Sequence, residues 1–380
     1  MAEILTSETI LKVVLRTIFG IPIGQTPRNQ HRYGIFHNLL SALLLTCVWG
    51  AFCYDMYCVK TYWRSSLRPH IPIETLLLLI PLNLSGAITY TLMVWFFYSN
   101  DFQHSHTRLV PHFDFMPEGH QEDIGPTRND WKYVNIFFLF GVIIVILVLV
   151  FAFVFNVFFD FDGIHDFTIH IHDLKRDLYY FDVSFIYWGF GGSVVACCIF
   201  FICCRDIVRH IEFTETLIIT KAKKYLTARH YHECLLRYSD DVMNTTKLWF
   251  VVHSLFFVFI VLTDVFVWIM AFSEIKHQPH NLIPILMGQV VGSSLIAFKF
   301  AFPFLAASRV TAQYDRMYRR INRHWRPDNL SEVDPFMSYA IRCKAGFTLF
   351  GIRLTAELAL ISLLSCFIGL FKLYKKLFEA

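Results

Sequence analysis

Seven apolar runs, each long enough to cross a bilayer, constrain this chain more than any other feature. They fall at about 35–58, 75–98, 133–159, 183–204, 248–272, 282–308 and 347–371. A helix rises about 1.5 Å per residue, so about 20 residues span a hydrocarbon core of about 30 Å. Lipid cannot satisfy backbone N–H and C=O groups, which makes helices the expected outcome. The first four runs contain no Asp, Glu, Lys or Arg apart from Asp55 near an end, whereas the last three hold Asp264, Lys299, and Arg353 with Glu357. With 55% hydrophobic and 17% charged residues and 40 Phe, the chain is far from a soluble one of 380 residues. The expected fold is an all-α membrane protein with seven transmembrane helices, multi-pass in the plasma membrane and in contact with the lipid bilayer.

Basic residues orient it. Lys and Arg total 21 over the segments 1–34, 99–131, 205–246 and 309–344, and 9 over 59–74, 160–182, 273–281 and 372–380. The positive-inside rule then predicts a cytosolic N-terminus and an extracellular C-terminus. No signal peptide is expected at the start, because Lys12 and Arg16 interrupt the first apolar stretch and no small-residue cleavage site follows it. Asn244-Thr-Thr and Asn329-Leu-Ser fall on the expected inner side and should carry no glycan. A net charge of +4 gives no reason to expect a nucleic-acid partner.

The organisation follows from the runs. Residues 1–34 form a cytosolic segment whose stripe Ile10, Leu11, Val14, Leu15 and Ile18 predicts an interfacial helix. Spans one to six occupy 35–308, with a cytosolic helical hairpin at about 205–247. Ile207, Ile211 and Leu217/Ile218 continue one helical stripe there, and Tyr231, Cys234/Leu235, Tyr238 and Val242 repeat it. Residues 309–344 continue the sixth run through Val310, Tyr314, Met317/Tyr318 and Ile321. A new helix is then predicted to open with Asp334 as N-cap and Pro335 at its first position, its apolar Phe336, Tyr339, Ala340 and Cys343 leading into the last span. That last span is placed at 345–372, with an external tail at 373–380. Amphipathic helices on one side of a membrane need one another as partners, which predicts a cytosolic anchor bundle where subunits also meet.

Neither catalytic residues nor a cofactor is expected, and the chain is not read as an enzyme. His104 and His106, His165 with His170, His172 and Asp173, and His230 and His232 lack the HxxxH and HxxHH spacing of di-metal membrane enzymes. They also fall on opposite sides of the expected membrane, so no metal site is assigned. Most of the ten cysteines lie in apolar runs or basic loops and read as packing residues, not a disulfide framework. Intramembrane charges are costly, so each needs a partner or a role. Arg353 and Glu357, four apart, are expected to pair along one helix face. Asp264 and Lys299 are open between cross-helix pairing and a ligand or ion path. Phe151, Phe155, Tyr187, Trp188, Asp264, Trp268 and Gln289 are the candidates for a pocket taking a small apolar ligand, with His253 near Asp264.

The last run has one distinctive face. Steps of four and three from Thr355 give Thr355, Ala359, Ser362, Cys366 and Gly369, all small, among Leu, Ile and Phe. Such a face lets a neighbouring helix approach closely, or lines a pore.

Three local stretches carry a resemblance. They are FGIPI at 19–23, CLLRYSDDVMNTTKLWF at 234–250, and FMSYAIRCKAGFTLFGIRLTAEL at 336–358. Together with the seven-span layout, they make the chain similar to the insect odorant- and gustatory-receptor superfamily, most of all to a divergent animal gustatory-receptor-like protein. The resemblance implies a homotetrameric ligand-gated cation channel whose seventh helix lines a central pore. It implies subunit contact through the cytosolic bundle and a small-molecule pocket among the outer halves of the spans. The family's signature in the seventh span is Thr-Tyr, five residues, Gln-Phe. The matching positions here are Thr355-Ala356 and Ser362-Leu363, so only the Thr is kept. A non-conducting member of the same fold is the main alternative. A G-protein-coupled receptor would need the opposite orientation, and a transporter would be expected to show inverted repeats.

Overall fold

The computed structural model describes residues 39–54, 56–57, 73–98, 176–220, 225–277, 282–325, 330–343, 345–349, 352–355 and 357, the side chains of some helical positions excepted. The expected interfacial helix at 8–19, the third span at 133–159, the external tail and most of the last span lie outside the described residues. So do the histidines at 104, 106, 165, 170 and 172.

Six helices and one hairpin make up the described chain. They are α1 (Leu39–Tyr54), α2 (Ile73–Tyr98), α3 (Arg176–Thr220), α4 (Tyr225–His277), α5 (Leu282–Trp325) and α6 (Leu330–Cys343), followed by strands β1 (Thr348–Leu349) and β2 (Ile352–Arg353). Among the described residues, Gly191–Thr220 and Thr246–Val265 are the stretches long and apolar enough to cross a membrane. Helices α3, α4 and α5 have 45, 53 and 44 residues, well beyond the length that a bilayer requires. Each therefore runs from an apolar half into a polar half without interruption.

Two cores stack along these long helices. In the first, Leu44 and Val48 of α1, Ala87, Tyr90 and Met93 of α2, and Val194–Cys198 of α3 are buried together. Trp49 Nε1 donates to Thr91 Oγ1 at 3.0 Å and ties α1 to α2. The second joins the polar halves of α3, α4 and α5 with α6 and the flanks of the hairpin. The apolar stripes read past the spans are its interior: Ile207, Ile211, Ile218, Leu235, Tyr238, Val310, Tyr314, Met317, Ile321, Phe336 and Ala340 are all buried. Phe201 and Trp249 pack against both cores and join them.

The structure departs from the expected elements at two places. Helix α6 begins at Leu330, not at Pro335, which sits inside it. As the sixth residue of α6, Pro335 forgoes the bond to the Ser331 carbonyl that a regular helix would make, while Phe336 and Ala340 beyond it are buried in the second core. The second departure concerns the seventh run. Residues 345–349 and 352–354 are not helical: Ala345–Phe347 lead into an antiparallel pairing of Thr348 with Arg353 and Leu349 with Ile352. Leu354 N donates to Phe347 O at 2.8 Å and extends this ladder by one rung. Helical conformation is next described at Glu357.

Candidate functional site

Helix α5 positions the polar groups of the second core. Thr311, Asp315 and Tyr318 are four and three residues apart and share one face of the helix, while Gln313 and Arg320, seven apart, share another. The second face meets α3, where Gln313 Nε2 donates to Glu212 Oε1 at 3.4 Å and Arg320 Nη1 to Glu215 Oε1 at 3.0 Å. The first face holds the hairpin and α4.

The hairpin is fastened to α5 by two hydrogen bonds and to α3 and α4 by ring contacts. Phe347 N donates to Thr311 Oγ1 at 3.0 Å, and Arg353 Nη2 donates to Asp315 Oδ1 at 2.8 Å. Between these two bonds, the Phe347 ring enters a socket with edge contacts to Phe200 of α3 at 5.5 Å and Phe250 of α4 at 5.0 Å. Phe200 and Phe250 are themselves stacked at 4.9 Å, and Phe304 of α5 leans on Phe250 at 5.2 Å. Gly346 makes the approach possible. Its φ of +136° lies where L side chains are strained, and a Cβ there would meet Arg353 Nε at 2.8 Å and Thr311 Oγ1 at 3.0 Å. A helix through 345–353 would withdraw both Phe347 and Arg353 from these partners, which is why the run starts as a hairpin.

This corrects the expected pairing of Arg353 with Glu357. Arg353 binds Asp315, 38 residues away. Sequence reasoning placed Arg353 in the membrane because the run around it is apolar; the local signals against a helix were Gly346, Gly351 and the β-branched Thr348 and Ile352.

His232 of α4 lies beside Tyr318, its Nε2 2.8 Å from the hydroxyl. Phe336 and Tyr339 of α6 present edges to the same imidazole, at 5.9 and 5.5 Å. Arg229 caps Tyr339 from outside at 5.0 Å. Burial in this aromatic box pushes the His232 pKa down to about 4, against a smaller opposing effect of Glu233. The imidazole is therefore neutral at pH 7. About a third of a turn round α4 from His232, the Tyr238 hydroxyl donates to Asp206 of α3, and the His210 ring lies over Tyr238 at 4.0 Å. Burial, then the Asp206 charge, raises the Tyr238 pKa far beyond its ordinary range.

Lys299 is buried on α5, 1% exposed. Its carbonyl would pair with the N–H of residue 303 in a regular helix, but residue 303 is proline. Cys197 of α3 fills the gap, its Sγ donating to Lys299 O at 3.5 Å. Sequence reading assigned Cys197 to packing alone; Pro303, four residues after Lys299, was the signal for this bond.

Of the expected pocket residues, Tyr187 and Trp188 lie on α3, Asp264 and Trp268 on α4, and Gln289 on α5. Asp264 is 9% exposed. His253 does not accompany it: eleven residues of helix separate the two by about 16 Å, and His253 stacks on Trp249 at 4.8 Å. Phe151 and Phe155 lie outside the described residues. So do Ala359, Ser362, Cys366 and Gly369 of the small-residue face, whereas Thr355 is half-buried just after the hairpin. Among the described residues no cluster of His, Cys, Asp and Glu fits a metal ion.

No protein-family model matches the chain, and no curated protein matches it in sequence. Solved structures do match it. The insect olfactory receptor OR5 from Machilis hrabei superposes with a TM-score of 0.63 at 13% identity, covering 98% of this chain and 97% of that one. The same receptor in complex with eugenol gives a TM-score of 0.65 at 12% identity, over 96% of this chain and 97% of that one. Over nearly its whole length, this chain has the fold of the insect olfactory receptors.

Proposed function

We propose that the protein is a multi-pass plasma-membrane chemoreceptor of the gustatory-receptor-like kind, working as a homotetrameric ligand-gated cation channel. The observation that carries this reading is the fold shared with an olfactory receptor across 97% of that receptor's chain. In this reading the N-terminus and the bundle that α6 forms with the polar halves of α3, α4 and α5 are cytosolic, the C-terminus is external, and the bundle joins the subunits. The last span stands at the fourfold axis and turns Thr355, Ala359, Ser362, Cys366 and Gly369 toward it. The pocket takes a small apolar molecule among Phe151, Phe155, Tyr187, Trp188, Asp264, Trp268 and Gln289. A small phenol is the first class to try, because one matched receptor is held with eugenol.

The test is a subunit count on purified protein in lipid nanodiscs, together with a cysteine scan under charged thiol reagents in cells. A tetramer is expected, with current blocked through Cys366 or through cysteines placed at Ser362 or Gly369, and unaffected through one at Leu364. A monomer or dimer would overturn the proposal. A second reading is a non-conducting partner subunit of the same fold, favoured by the replacement of the signature's aromatic and amide at Ala356 and Ser362. It predicts a tetramer that carries no current.

A further inference from the structure

We propose that the segment Gly346–Leu354 is a clasp that couples α5 to the last span, with Asp315–Arg353 as its releasable half. The coupling to gating rests on the channel reading; the clasp itself does not. Three observations carry it. The described part of the segment is extended, not helical, between the end of α6 and Glu357, so no continuous helix carries motion from α6 past it. Its attachments divide into a buried fixed part, Phe347 in the Phe200–Phe250 socket with its N–H on Thr311, and a polar part, Arg353 on Asp315. The fixed part is dry, whereas Asp315 and Arg353 have side chains 43% and 32% exposed. A half-exposed ion pair is weak and exchanges readily with water, while a ring filling an aromatic socket is not easily withdrawn. A shift of α5 along its axis past α3 and α4 therefore moves Asp315 relative to a Phe347 ring that the Phe200–Phe250 socket holds, and the Arg353 side of the hairpin either follows Asp315 or lets go. These two responses give the foot of the last span two positions.

Hydrogen–deuterium exchange on the full-length protein in nanodiscs reads the clasp, and patch-clamp recording of unliganded current reads the coupling. Asp315→Asn and Arg353→Ala are each expected to raise exchange over 345–355 about fivefold. The double variant should add less than twofold more, and the reversed pair Asp315→Arg with Arg353→Asp should bring exchange back to within twofold of wild type. Unchanged exchange in both single variants overturns the clasp. In cells the single variants are expected to change unliganded current about threefold at an unaltered reversal potential, with recovery in the reversed pair. Raised exchange with wild-type gating overturns the coupling. Absence of current from wild type in a confirmed tetramer refutes the channel reading instead, and exchange still decides the clasp.

Discussion

Cys197 donates its thiol to the carbonyl of Lys299, the group that Pro303 leaves without a helical donor. A proline in one helix thus sets the chemistry required of a cysteine in its neighbour. Cys197→Val should cost about 1 kcal/mol, since it orphans a buried acceptor. The same substitution on a Pro303→Ala background should cost much less, because residue 303 then supplies the N–H. A double-mutant cycle of thermal unfolding in detergent measures the difference.

Gly346→Ala should destabilise the foot of the last run by about 1–3 kcal/mol. The added methyl meets Arg353 and Thr311, and alanine is strained at φ +136°. Lower surface expression and faster proteolysis between Lys344 and Thr355 are the expected readouts, and wild-type behaviour of both would contradict the hairpin geometry.

Phe347→Ala should cost about 3–5 kcal/mol through the cavity left beside Phe200 and Phe250. Phe347→Leu should recover part of that loss. The order wild type, Leu, Ala in thermal midpoint checks it.

Stability should fall on acidification through His232. The imidazole has a pKa of about 4 in the folded protein and about 6.5 when unfolded, so the unfolded chain binds more protons between those values. Stability is full above about pH 6.5 and declines toward pH 4, by about 3 kcal/mol at most. His232→Phe should flatten this part of the pH profile while losing about 1 kcal/mol at pH 7, where the Tyr318 hydroxyl lacks its partner. Chemical denaturation at pH 7 and pH 5 compares the two proteins.

The second core was legible in the sequence because the stripes Ile207–Ile211–Ile218 and Val310–Tyr314–Met317–Ile321 keep helical spacing after the apolar runs end. Each buried position recurs locally, so its role can be read from neighbours along the chain. The hairpin left only weak local signals, and its partners were not legible. Arg353 looks like half of an i, i+4 pair with Glu357, and nothing near it in sequence announces Asp315. Composition around Phe347 suits a membrane helix as well as an aromatic socket, because both reward the same side chains. What separated them was a contact across 36 residues, from Phe347 N to Thr311. The Cys197–Lys299 bond is similar in kind: Pro303 shows that an acceptor is free, but only the packing of α3 on α5 shows which residue answers it.

Unbroken length is the remaining consequence of the architecture. At 53 residues α4 is about 80 Å long, more than twice the thickness of a hydrocarbon core. Pivoting near its middle, such a rod behaves as a lever with arms of about 40 Å, so a tilt of about 3° displaces either tip by about 2 Å. A tilt set among the apolar residues of α4 would therefore be felt at Tyr225 by leverage alone, without any helix bending or melting.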